Sequence, residues 1–125
     1  MSLQPAAVPR SADAVLTKAA VRAADRLGIT ARVLAAVIGV SEATVSRMRR
    51  GEFALAEGSK PFELALLFVR LFRSLDAIAG GDEAVARAWL RAPNTALGAT
   101  PAEAIRTIPG LVDVLAYLDA RRALV

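Results

Sequence analysis

An all-α fold follows from three features of this 125-residue sequence. Alanine, leucine and valine dominate its 55% apolar content, while the aromatic residues that strands favour make up only 5%. Apolar residues recur at helical spacing, and no stretch shows the strict alternation of a half-buried strand. A chain of this size can bury one core of ordinary extent, or two small helical subdomains that share one.

Residues 1–14 read as a flexible N-terminus. Val15, Leu16, Ala19, Ala20, Ala23, Ala24 and Leu27 then form a 3.6-period stripe, and Gly28 follows as a C-cap, so a first helix spans Val15–Leu27. A second helix, Ala31–Ile38, is introduced by Thr30, keeps Leu34, Ala35 and Ile38 on one face and closes at Gly39. Ser41 caps a third, Glu42–Arg50, which stops at Gly51. Phe53–Lys60 reads as a connector, and Pro61, at a first helical position, opens a long helix to about Ala79 before Gly80 and Gly81. The apolar residues of that helix, among them Phe62, Leu66, Leu67, Phe68, Phe72 and Ile78, cover more than one face. The surplus face calls for a partner, either a second copy or the C-terminal part.

Asp82 caps a helix through Arg91, which Pro93 and Asn94 interrupt. Thr100, Pro101 and Glu103 form a capping box that starts a short helix to about Ile108. Pro109 and Gly110 are expected to break it, leaving Leu111–Ala123 as the last helix, with Leu111, Val114, Leu115 and Leu118 as its stripe. The elements divide into a region of residues 15–80 and a C-terminal unit of residues 81–125.

Cysteine and histidine are both absent. Disulfides, thiol nucleophiles, imidazole bases and nearly every transition-metal site go with them. Paired carboxylates fare no better: Asp82 and Glu83 are adjacent and point apart on a helix, and Asp113 and Asp119 share no close helical spacing. The expectation is a non-enzyme without cofactor or metal. Met1–Arg10 has no apolar run of signal-peptide length, and the most apolar stretch, Leu64–Val69, ends at Arg70. A cytoplasmic protein without a membrane partner is expected.

The net charge of +4 is unevenly spread. Residues 1–51 carry eight Lys or Arg against three acids, whereas residues 52–125 carry eight against nine. A polyanion would dock on the N-terminal half, and the C-terminal half requires a different partner.

The most constrained local pattern is Ala31–Gly51, ARVLAAVIGVSEATVSRMRRG. Two helices that nearly touch need a small residue at the crossing (Ala35), a residue able to turn left-handed (Gly39), an N-cap for the second helix (Ser41) and apolar anchors on its inner face (Val40, Val45, Met48). All occur at the required intervals, and the segment resembles the Xre/Cro-type helix-turn-helix. With Val45 and Met48 inward, the opposite face presents Ser41, Glu42, Ala43, Thr44, Ser46, Arg47 and Arg50. The expected DNA contacts are Arg47 to guanine, Ser41, Thr44, Ser46 and Arg50 to phosphate or base edges, and Arg49 to the backbone. Basic residues before Gly51 also complement a helix dipole, but that role makes no demand on Ala35 or Gly39. One module makes few base contacts, so specific binding calls for two copies on two half-sites.

Residues 84–125 contain Trp89, Leu90, Pro93, Asn94, Leu97, Gly98 and Pro101 in the order W-L-x-x-P-N-x-x-L-G-x-x-P, followed by Thr107, Gly110 and Val114 as T-x-x-G-x-x-x-V. This order resembles the toxin-binding domain of the Xre, MbcA and ParS antitoxins, and the resemblance runs from about Val15 to Val125. It implies a small C-terminal helical toxin-binding domain behind the helix-turn-helix. It further implies an antitoxin that neutralises a RES-domain, NAD-consuming toxin by covering its active-site entrance, that represses its own operon, and that works as a homodimer within a larger toxin–antitoxin complex. Read without the family, Trp89 is core, Pro93-Asn94 a turn, and Gly98 and Thr100-Pro101-Glu103 structural. The residues free to meet a toxin are then Arg121, Arg122, Leu124 and Val125, whose other role is that of a solvated helix end. The competing reading of the whole chain is a stand-alone helix-turn-helix repressor without a toxin partner.

Overall fold

The computed structural model describes residues 11–124, so Met1–Arg10 and Val125 lie outside the described residues. Seven helices and no strand are found among the described residues: α1 (Ala12–Leu27), α2 (Ala31–Ile38), α3 (Glu42–Arg49), α4 (Lys60–Ile78), α5 (Glu83–Arg91), α6 (Pro101–Ala104) and α7 (Ile108–Arg122). The all-α expectation holds. α1 begins three residues earlier than its apolar stripe because the Ser11 hydroxyl accepts from the Ala14 N–H at 3.1 Å and caps it. Thr30, Ser41 and Ser59 cap α2, α3 and α4 in the same way. Gly28 and Gly39 close α1 and α2 in the left-handed conformation, with φ of 68° and 78°.

The C-terminal boundaries differ from expectation. Pro109 and Gly110 do not separate two helices but lie in the first turn of α7. There a proline costs nothing, because its missing N–H is one the helix leaves unpaired. The Thr107 hydroxyl caps this turn by accepting from the Gly110 N–H at 3.2 Å. The break falls instead at Ile105–Thr107, so α6 is a single turn that ends at Ala104. Gly110 is needed for space: a Cβ there would collide with the Ala104 backbone carbonyl.

α4 is the central element, packed most extensively on α7 and α1 and also against α2 and α5. Phe62, Leu64, Ala65, Phe68, Val69, Leu71 and Leu75 are buried along it. Covering each of the larger side chains contributes about 1.5–3 kcal/mol. The surplus apolar face is therefore largely taken up by the C-terminal part of the same chain, through Leu111, Val114, Leu115 and Leu118 of α7. Leu66 remains 44% exposed. A single apolar cluster runs from Leu16 on α1 to Leu118 on α7.

α5 is tied to the end of α1 by charge-assisted bonds. Arg87 Nε donates to the Arg26 carbonyl at 3.0 Å and Arg91 Nη2 to the Gly28 carbonyl at 3.2 Å, placing two cations on carbonyls that a helix end leaves unpaired. Between α5 and α6 the chain folds into a closed loop. The Asn94 N–H bonds the Ala99 carbonyl, its Oδ1 accepts from Leu97 N–H, and Gly98 turns left-handed at φ 74°.

Gly110→Ala is expected to destabilise the chain by about 1–3 kcal/mol or more, since an added methyl meets backbone that cannot yield as a side chain would. Urea unfolding followed by circular dichroism checks this, and an unchanged midpoint would mean that α6 and α7 meet differently.

Candidate functional site

α2 and α3 pack against each other, with α3 also against α1. Val45 and Met48 are buried as the inner face of α3, and Ala35 is buried on α2. The opposite face stands in solvent. Ser41, Glu42, Ala43, Arg47, Arg49 and Arg50 are exposed, while Thr44 and Ser46 are half-buried.

The six residues expected at DNA are in one region but not in one state. The Ser41 hydroxyl is engaged as the α3 cap, accepting from the Thr44 N–H at 3.0 Å and donating to Thr44 Oγ1 at 3.0 Å. Thr44 Oγ1 also accepts from Arg47 Nη2 at 3.3 Å. The Arg47 guanidinium carbon lies 5.6 Å from the centre of the Phe53 ring, within cation–π range. Arg49 turns back to α1, with its Nη1 2.6 Å from Asp25 Oδ1. Arg50 Nε lies 3.1 Å from Glu52 Oε1. Among the described residues, Arg47 is the one arginine of the three with no carboxylate in ion-pair range.

The segment that carries Phe53 is fixed at both ends. Gly51, at φ 74°, and Glu52 return their N–H groups to the Met48 and Arg47 carbonyls at 3.1 and 2.8 Å. Beyond Phe53 the Leu55 N–H donates to the buried Thr17 hydroxyl at 2.8 Å, which itself donates to the Asp13 carbonyl at 2.6 Å. Asp13 Oδ1 then accepts from the Glu57 N–H at 3.0 Å. Behind this segment an open hollow of about 640 Å³ lies against α1 and the end of α3, flanked by Lys18, Arg22, Arg49 and Glu52.

The second group of expected residues lies at the end of α7. Arg121 Nη1 donates to the Tyr117 hydroxyl at 2.9 Å, and its guanidinium lies 5.7 Å from the Tyr117 ring centre. Tyr117 in turn stacks on Trp89 of α5, with centroids 6.0 Å apart and planes inclined by 26°. Arg122 reaches the buried Ser74 hydroxyl on α4 at 3.4 Å. Ser74 donates to Asp119 Oδ1 at 2.8 Å, and Arg70 pairs with the same carboxylate at 3.3 Å. Leu124 is 83% exposed, and Val125 lies outside the described residues. Trp89 and Tyr117 are both half-buried and pack on the core, so Trp89 is both a core contact and the base of a half-buried aromatic step.

Sequence reasoning did not find Phe53, Thr17, Ser74, Asp119 or Tyr117 as shapers of these surfaces. Phe53 carries the one available signal, a large aromatic residue in the connector after Gly51; the hydroxyls and carboxylates act on elements far away in sequence.

No helix among the described residues is long and apolar enough to cross a membrane. A search of curated proteins finds no match for this chain. Two family models match it. The antitoxin Xre-like helix-turn-helix domain covers residues 6–70, and the antitoxin Xre/MbcA/ParS C-terminal toxin-binding domain covers residues 74–123. The boundary between the two matches falls inside α4, the helix that packs on both α1 and α7. Matched by the first model over more than half its length and by the second over most of the remainder, the chain belongs to the Xre-like helix-turn-helix antitoxins, with a DNA-binding N-terminal part and a C-terminal toxin-binding domain.

Proposed function

We propose that this antitoxin neutralises a RES-domain toxin that consumes NAD, and that it represses its own operon by binding DNA through α3. The observation that carries the proposal is the union, in one chain, of an exposed α3 face bearing Arg47 and Arg50 with a C-terminal unit matched by a toxin-binding domain. Ser41, Thr44, Ser46, Arg47, Arg49 and Arg50 make the DNA contacts, with Arg47 placed for a bidentate bond to guanine. Arg49 and Arg50 exchange exposed carboxylate partners for phosphate. Those surface ion pairs contribute at most about 1 kcal/mol each and yield readily to a polyanion. Two copies act together on two half-sites, as a homodimer within the toxin–antitoxin complex, in the cytoplasm.

The end of α7 meets the toxin. Arg121, Arg122, Leu124 and Val125 cover the entrance to its active site, with the arginines offered to acidic groups or to a site shaped for nucleotide phosphates. The protein acts by binding and not by catalysis, a reading supported by its lack of cysteine and histidine.

Co-expression with the protein encoded beside it is the decisive experiment. Growth arrest and NAD depletion by the neighbour alone, with both reversed by this chain and a stable complex purified, are expected. No toxicity to reverse and no complex would leave a stand-alone repressor. Truncation after Ala120 is expected to weaken neutralisation while operator binding persists; undiminished neutralisation would remove the tail from the interface. For DNA, Arg47→Ala with Arg50→Ala is expected to lower operator affinity by at least tenfold and to make the salt dependence shallower, because each lost phosphate contact reduces the slope by about 1. Unchanged affinity and slope would exclude α3 as the reading helix.

A further inference from the structure

We infer that Phe53 is a positioning residue for base recognition: its ring holds the Arg47 guanidinium in the pose from which it reads a base, so that Thr44, Arg47 and Phe53 act as one unit. The inference rests on the reading of α3 as the DNA-contacting helix.

Three neighbouring arginines end α3, and the fold treats them differently. Arg49 and Arg50 face carboxylates, at 2.6 and 3.1 Å. The partners of Arg47 are uncharged, a hydroxyl at 3.3 Å and an aromatic face at 5.6 Å. Such partners restrict the side chain without neutralising it. The bond to Thr44 engages one of the five guanidinium N–H donors, and the others remain to meet the two acceptors of guanine in the major groove. An unrestrained arginine surrenders its rotamer freedom on binding, whereas one held between a hydroxyl and an aromatic face has surrendered part of it already.

Phe53 is suited to this role by how it is held. The residue is 38% exposed, yet the backbone on either side is fixed, by the turn at Gly51 and by the Leu55 N–H bond to Thr17. Thr17 and Ser74 are the two buried polar residues among the described residues, and one of them anchors this segment. Thr44 completes the arrangement, its hydroxyl held by the cap Ser41 before it accepts from Arg47.

The test uses the full chain and a duplex selected by the wild-type chain from a random-sequence library, together with duplexes in which each G·C pair is replaced by A·T. Dissociation constants are measured by fluorescence anisotropy at several salt concentrations, with thermal melts confirming that each variant is folded. Phe53→Leu is expected to lower discrimination at one G·C position by about two- to fivefold, the range of an exposed cation–π contact. The salt slope and the affinity for unrelated DNA should stay as they are, and Phe53→Tyr should keep the discrimination. In an Arg47→Ala background, Phe53→Leu should have no further effect at that position. Unchanged discrimination in Phe53→Leu, an equal loss on every duplex, or the same loss in the Arg47→Ala background would each overturn the inference. A wild-type chain that selects no preferred sequence would overturn the reading of α3 itself, and the inference with it.

Discussion

The whole arrangement depends on α4 having apolar side chains around more than one face. A helix that only closed a small three-helix unit would need a single stripe of about 100°; α4 buries Phe62, Leu64, Ala65, Phe68, Val69, Leu71 and Leu75 and so serves as a wall with two sides. α1 and α2 pack on it from the helix-turn-helix, and α7 from the C-terminal part. Neither half closes a core of its own without this helix, which is why the apolar cluster is continuous from Leu16 to Leu118. α3 and the end of α7 are thereby parts of one packed body, and interiors packed at crystal-like density transmit displacement rather than absorb it.

Two buried hydroxyls set the details on this apolar frame. Thr17 bonds the Leu55 N–H and so fixes the turn behind α3, while Ser74 bonds Asp119 and meets Arg122, and so fixes the end of α7 on α4. Thr17 satisfies its hydroxyl through the distant Leu55 N–H and the Asp13 carbonyl one turn earlier, and Ser74 through Asp119 and Arg122 on α7, as a buried hydroxyl must if it is not to cost stability. They sit near the two surfaces proposed to meet DNA and toxin, one at each.

Charge is arranged by a similar economy. Most of the ion pairs are exposed, and their contribution to stability is small. Their effect is to decide which cations are already occupied. Asp25 engages Arg49, Glu52 engages Arg50 and Asp119 engages Arg70, whereas Arg47 and Arg121 lie over aromatic rings with no carboxylate in ion-pair range among the described residues. The basic half of the chain thus presents a graded surface in place of a uniform positive field.

The sequence by itself determined the elements whose rules act within about four residues: the caps at Thr30, Ser41, Asp82 and Thr100, the left-handed Gly28 and Gly39, and the inward Val45 and Met48 that turn the rest of α3 outward. It also carried the order from Trp89 to Pro101, which lies within the residues matched by the C-terminal toxin-binding family model. Local chemistry could mislead only where two local rules compete, as at Pro109-Gly110, where the signature of a helix break is equally that of a first turn capped by Thr107. Only the tertiary structure decided that α7 covers the surplus face of α4, that Arg49 answers to Asp25 and Arg122 to Ser74, and that Phe53 lies beneath Arg47. Such pairings are set by how helices stack and where turns return the chain, and the 3.6-residue period that reveals a helix contains no information about which other helix its buried face will meet.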